Sequence, residues 1–498
     1  MKSYELGQKP LTIEDVYSIA RHSVRVVLST QAKARIMKAH QYLIKKSKSG
    51  DTIYGVNTGF GILSNVRIES KDLEQLQLNL LRSHAVGTGR ALFKDQVRAM
   101  LFLRAATLTQ GNSGVSLRLV EALLDLLNHD VIPWIPEQGS VGASGDLSPL
   151  AHLALVLVGE GKAYVDGKLM SGKRALQNKK LKPIVLGPKE GLALINGTQF
   201  MAALAVFAVG ESEQLFRVAN LSGAMTLEAL RGTVTAFDKK IHAVRPHPGQ
   251  IEVAGIFRKL LGAGKKSEIA LSHEGCGRVQ DPYSLRCIPQ VHGPILDTIR
   301  FVRTIVEREI NSVTDNPLVF VNEDQILSGG NFHGQYLAMG MDYLAIAMAE
   351  LASISEQRIE KLINPTISEL PAFLMKKSGI NSGFMIVQVA AASIVSENKT
   401  LAHPASVDTI PTSADKEDHV SMGAWASRKC LMVIHNVRRV LSMEMLAACQ
   451  GIDLLRPLKT TKALEAVHAE VRTKIPYFTE DAPFYEAIRE MQNFTRKW

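Results

Sequence analysis

A chain of 498 residues, 46% apolar and 21% charged, can build a substantial core and is too apolar for a disordered or fibrous protein. Its formal charge of +10 is spread along the chain, with only short clusters such as KKSK (Lys45 to Lys48) and NKKLK (Asn178 to Lys182). Such clusters read as solvated faces, and no nucleic-acid readout motif accompanies them. Four cysteines, Cys276, Cys287, Cys430 and Cys449, are too sparse for a disulfide framework and fit a reducing interior.

The opening MKSYELGQKPLTIEDVYSIA lacks the basic-then-apolar order of a secretory signal. The longest apolar runs, such as FMAALAVFAVG from Phe200, stop short of the roughly 18 residues of a membrane span. A cytoplasmic protein with no membrane partner is expected. Along the chain, YGVNTGFG (54–61) is the first polar, glycine-bearing loop. KDLEQLQLNLLRSH then places Leu73, Leu76, Leu80 and Leu81 on one helical stripe and runs into a second such loop, SHAVGTG (83–89). In AYVDGKLM, Asp166-Gly167 suits a tight turn between two short strands.

Loops INGTQ (195–199) and VQDPYSLR (279–286) precede an amphipathic helix opened by Pro294 and carried by Ile295, Ile299, Val302, Val306 and Ile310. After the loop SGGNFHG (328–334), two long segments rich in Ala, Leu and Met, from Gly334 and from Arg428, read as inner helices of a bundle. The loop SADKEDHV (413–420) lies between them. No internal repeat or long linker interrupts the chain, so one mainly helical body with a small hairpin is predicted.

Chemistry centres on GSVGASGDLSPLAHLALVLVGEG, Gly139 to Gly161. A serine-hydrolase elbow needs glycine two residues beyond the serine, but Ser144 has Asp146 there, and no strand-turn-helix context surrounds it. Gly87-Thr-Gly89 lacks the third glycine of a dinucleotide motif, and GKK at Gly264 lacks the rest of a P-loop. His273, Cys276, Cys287 and His292 have no recognised zinc spacing and read as satisfied loop polars. The backbone offers another route. The Gly145 nitrogen can attack the Ala143 carbonyl carbon and close a five-membered ring, with glycine and alanine keeping the approach open and the Ser144 hydroxyl leaving as water. Intramolecular attack of this kind reaches effective molarities of about 10⁵ to 10⁸ M when a fold holds the turn compressed. Three small residues meet in many ordinary turns, so the neighbours must decide.

Those neighbours resemble the aromatic amino-acid ammonia-lyases, whose Ala-Ser-Gly forms a 4-methylideneimidazol-5-one (MIO). The likeness runs through YGVNTGFG, SHAVGTG, LINGTQ, QDPYSLR, NSVTDNPL, SGGNFHG and SADKEDHVSMG in family order. It implies a mainly α body of the fumarase/aspartase type, an extended helical bundle with a small hairpin-bearing N-terminal part. Residues 1–195 would carry the MIO-forming turn and a lid loop, and 196–498 the central and C-terminal bundle. It further implies a homotetramer acting on a small amino acid, with active sites drawing on more than one subunit and with neither pyridoxal phosphate nor a metal required.

By resemblance, Ala143, Ser144 and Gly145 form the electrophile, while Asn196, Phe332 and Asp146 surround it. Asn196 donates to the MIO oxygen or the bound amino acid, and Phe332 packs beside the ring. Asp146 either assists closure or caps the following helix. Tyr283 is the candidate base for the β-proton and Tyr54 belongs to a loop closing over the site. A phenol titrating near 10 needs neighbouring cations or donors to act at neutral pH. Arg286 would aid Tyr283 and suits the substrate carboxylate, and Gln280 lines the site.

His84 and Glu417 match the branch acting on histidine, where the phenylalanine branch has an apolar residue and a glutamine. An imidazole wants an acceptor and a partner, and a carboxylate is the strongest. The expected reaction is deamination of L-histidine to trans-urocanate and ammonia. Whether substrate amine or aromatic ring adds to the MIO stays open, as does the choice of Tyr283 or Glu417 as base. The alternatives are a tyrosine or phenylalanine ammonia-lyase, an aminomutase, or, in a different class, a basic helical nucleic-acid-binding or scaffold protein.

Overall fold

Leu80 and Leu81 are buried along the helix Leu73–His84, with Leu73 and Leu76 half-buried beside them, which is the stripe the leucine spacing predicts. The Asp166-Gly167 turn also forms. Both residues take left-handed φ values, 50° and 77°, as a two-residue hairpin turn demands, and they join strands Lys162–Val165 and Lys168–Ser171 with Val165 facing Lys168. Strand Ile132–Pro133 completes this small antiparallel sheet, and among the described residues the other sheets have two strands each. The computed structural model describes residues 3–22, 24–48, 53–59, 68–275 and 279–497.

The chain folds into two compact units, each assembled from three runs. The first comprises Met1–Gly210, Arg303–Asp342 and Pro404–Arg428, and the second Glu211–Val302, Tyr343–His403 and Lys429–Trp498. A cut at 195/196 sorts the chain by motif content, whereas these units sort it by contact. In the first unit the core runs along Lys94–Leu108, where every residue from Val97 to Leu108 is buried. In the second, Glu444 is fully buried against Arg358, whose Nε donates to its Oε1 at 2.5 Å. Ser222, Thr226 and Ser355 also donate to that carboxylate, so the buried charges are paired and hydrogen-bonded.

One expectation is corrected. The helix containing Pro294 spans Ile288–Glu309 and begins before the proline. A proline reads as a helix start because its missing N–H costs nothing there. Here the apolar stripe reaches back to Ile288, buried like His292, Ile295 and Ile299, and that burial outweighs one lost backbone bond. Gln335–Ile363 is long and apolar enough to cross a membrane by length and composition alone. In its most apolar window 67% of the residues are buried inside the protein, the condition of a core helix. Cys287, Cys430 and Cys449 are free thiols, and Cys276 lies outside the described residues.

Candidate active site

The turn around Ser144 is held by backbone left-handed at Gly142 (φ 68°) and Gly145 (φ 76°). A Cβ at Gly145 would stand 2.2 Å from the Gly197 carbonyl oxygen, and one at Gly142 2.3 Å from Ser421 Oγ, so both positions require glycine for conformation and for space. Three loops grip the turn. From the 195–199 loop, Gly197 pairs with Gly145 and its carbonyl accepts from the Asp146 amide at 2.7 Å. From the 328–334 loop, the Gly334 amide donates to the Gly142 carbonyl at 3.3 Å. Beyond the 413–420 loop, Ser421 Oγ donates to that carbonyl at 2.8 Å and the Met422 amide to Val141 at 2.8 Å.

Within this grip, Asn196 Nδ2 donates to the Ser144 carbonyl at 2.7 Å, while Asn196 Oδ1 is buried without a partner. The Ser144 hydroxyl donates to Glu417 Oε1 at 2.5 Å. Glu417 is fixed in turn: Thr412 Oγ1 donates to its Oε2 at 2.6 Å, and the two backbones exchange bonds across left-handed Ser413, Ala414 and Asp415. Arg104, fully buried, fastens the Asn196 loop from behind by donating to the carbonyls of Asn196, at 3.0 Å, and Ala193. Burial lowers its pKa to about 10, against the pull of Asp315.

Asp146 occupies the N-cap position of helix Leu147–Leu157 but makes no cap bond to it, which corrects the capping alternative. Its carboxylate accepts instead from the Met201 amide at 2.9 Å, in the first turn of Gln199–Ala229, and from Ser140 Oγ at 3.2 Å. Complete burial pushes its pKa up to about 7, with the Glu309 charge adding and the hydrogen bonds opposing. His84 Nδ1 lies 2.8 Å from the Leu80 carbonyl, which places the ring proton there and leaves Nε2 as an acceptor. Burial holds its pKa below the usual imidazole value, while the Leu80 bond and the Glu417 charge pull upward. Tyr54 and Phe332 are half-buried in their loops, and Phe60 and Gly61 of the Tyr54 loop lie outside the described residues.

Gln280, Tyr283 and Arg286 belong to the second unit. Gln280 and Arg286 line a cavity with Arg231, Thr233, His273 and Asp281. Tyr283 is 70% exposed, and the Arg286 guanidinium lies over the face of its ring at 4.5 Å, a cation–π contact. Arg286 Nε is buried without a partner. Sequence reading overlooked Arg104, Ser140, Thr412 and Ser421. Ser140 and Ser421 stood inside quoted motifs and Thr412 stands five residues before Glu417, whereas Arg104 acts across 92 positions that no local spacing announces.

Residues 11–473 match the family model for aromatic amino acid lyases. The chain is 49% identical over 502 residues to the histidine ammonia-lyase of Homo sapiens, covering 100% of this chain and 76% of that protein. It superposes on histidine ammonia-lyase from Trypanosoma cruzi with a TM-score of 0.92 at 44% identity, over 100% of this chain and 94% of the other. A tyrosine aminomutase from Streptomyces globisporus matches with a TM-score of 0.94 at 33% identity, over 100% and 97%, so the backbone alone does not separate substrates. On these matches and the mainly helical fold they share, the chain belongs to the aromatic amino acid lyase family and is a carbon–nitrogen lyase.

Proposed function

We propose that the protein deaminates L-histidine to trans-urocanate and ammonia by means of an MIO made from Ala143, Ser144 and Gly145. The observation that carries this reading is Glu417, held at 2.5 Å from the Ser144 hydroxyl with its field on His84. A carboxylate beside the reactive carbon suits an imidazole better than an apolar ring. The turn fits the heterocycle. Closure joins the Gly145 nitrogen to the Ala143 carbonyl carbon and expels that oxygen as water, and the Ser144 hydroxyl leaves with the α-hydrogen as a second water. The Ser144 carbonyl survives closure, and it is the one Asn196 already holds. When formed, the group supplies an electrophilic carbon that makes ammonia a workable leaving group.

The chain's own residues do the rest. His84 and Glu417 hold the substrate imidazole. Asn196 stabilises charge on the Ser144 carbonyl, and its unpartnered Oδ1 accepts from the substrate ammonium. Arg286 binds the carboxylate through its fork, Gln280 lines the site and Phe332 packs beside the electrophile. Tyr283, its ring faced by the Arg286 guanidinium, takes the β-proton, and Tyr54 closes over the substrate. The protein works in the cytoplasm as a homotetramer whose sites draw residues from more than one copy.

Incubation with L-histidine, L-tyrosine and L-phenylalanine, followed in the ultraviolet, tests the reading. Urocanate is expected to dominate, and dominant cinnamate would overturn the role of Glu417. The intact chain should be lighter than its sequence mass by two waters, and Ser144→Ala should remove both that deficit and turnover.

A further inference from the structure

His152 has no part in the roles above. It lies in the helix Leu147–Leu157, which leaves the cyclising turn directly after Asp146. Its half-buried ring packs edge-on against Trp134, with centroids 5.7 Å apart. Nε2 lies 3.0 Å from the Gly87 backbone nitrogen. An N–H can only donate, so Nε2 accepts and the ring carries its proton on Nδ1. Burial lowers the pKa of His152, the direction that keeps this acceptor available.

Gly87 follows His84 by three residues, and successive amides fasten the chain between them. Ala85 donates to the Leu81 carbonyl at 3.1 Å and Val86 to the His84 carbonyl at 2.9 Å, both local bonds, whereas the Gly87 bond reaches another element. The approach is close. A Cβ at Gly87 would stand 3.1 Å from both the Gln138 carbonyl oxygen and His152 Nε2, and one at Gly139, which opens the cyclising turn, 3.1 Å from Gly87 Cα. Substrate loop and electrophile-bearing turn therefore touch at two glycines, where the His152 bond adds a side-chain tie to the antiparallel pairing of Thr88 with Gln138.

We infer that His152 is a positioning residue that sets the spacing between the loop presenting His84 and the turn carrying Ser144. The inference rests on the reading of His84 as a contact to the substrate ring, where small misplacements carry large kinetic effects. In the full-length protein, His152→Met replaces the ring nitrogen with a thioether that accepts only weakly and keeps the bulk, and His152→Gln retains a strong acceptor. The Met variant is expected to raise KM for L-histidine about tenfold, the scale of one hydrogen bond, with kcat within about twofold. Its two-water mass deficit should persist and exchange of the Gly87 amide should accelerate. The Gln variant should recover both KM and slow exchange.

A Met variant with wild-type KM and unchanged Gly87 exchange overturns the inference. If that variant does not fold, the wild-type protein decides, because a Gly87 amide exchanging as fast as an unbonded loop amide also overturns it. Failure of the functional reading looks different: wild-type protein makes no urocanate, while Gly87 exchange, which needs no substrate, still reports on the His152 bond.

Discussion

Asp146 stands one residue beyond the nitrogen that the proposed ring closure uses, and its burial has a measurable consequence for stability. An unfolded aspartate titrates near 3.9, whereas the folded group does so at about 7, so the folded chain binds more protons between those values. The stability linked to this proton is complete below about pH 4 and is lost as pH rises through 7, to a total of about 4 kcal/mol. Asp146→Asn mimics the protonated acid, its amide oxygen accepting from Met201 and its NH2 donating to Ser140. Between pH 5 and 8 the wild-type melting temperature should fall relative to that of the variant, and parallel curves would refute the assignment. An acid after Gly145 was legible in the sequence. Its burial was not, because the Met201 amide that receives it lies 55 positions away. Arg286 over Tyr283 was closer to hand, since three residues make about one helical turn.

Among the elements, those legible in advance owed it to a local cause: the leucine stripe of Leu73–His84, the Asp166-Gly167 hairpin, the Ala- and Met-rich inner helices. The start of Ile288–Glu309 was misread because a local signal, Pro294, competes with burial that no local rule weighs. That helix meets Pro248–Leu260 through glycine on both sides. A Cβ at Gly249 would lie 2.2 Å from the Gly293 carbonyl oxygen, and one at Gly293 2.6 Å from the Gln250 nitrogen. Gly249→Ala should therefore destabilise by about 2 kcal/mol or more, since backbone cannot step aside as a side chain can. Gly255 sits on the same helix, where a Cβ meets only Arg258 Nη2 at 3.6 Å. Gly255→Ala should stabilise by about 0.5 to 1 kcal/mol. Melting temperatures of the two variants should move in opposite directions from wild type.

At the level of the whole molecule, Tyr336, Met339, Tyr343 and Ile346 of Gln335–Ile363 are 75%, 40%, 42% and 46% exposed. Their three-and-four spacing makes one apolar stripe, the pattern of a helix that awaits a neighbour. If, as proposed, the sites are built from several copies across this face, Ile346→Lys reduces the mass measured by light scattering and lowers turnover with it. An unchanged mass would rule this stripe out as an assembly surface. Composition and family likeness make the mainly helical body readable from sequence, but the pairing of Ser144 with Glu417 spans 273 positions, and no local periodicity encodes such a contact. That span also orders events in time. A ribosome that has not yet passed residue 417 holds a nascent chain whose tripeptide lacks its acidic neighbour, so Ser144 can meet that carboxylate only after the 273 positions between them have been translated.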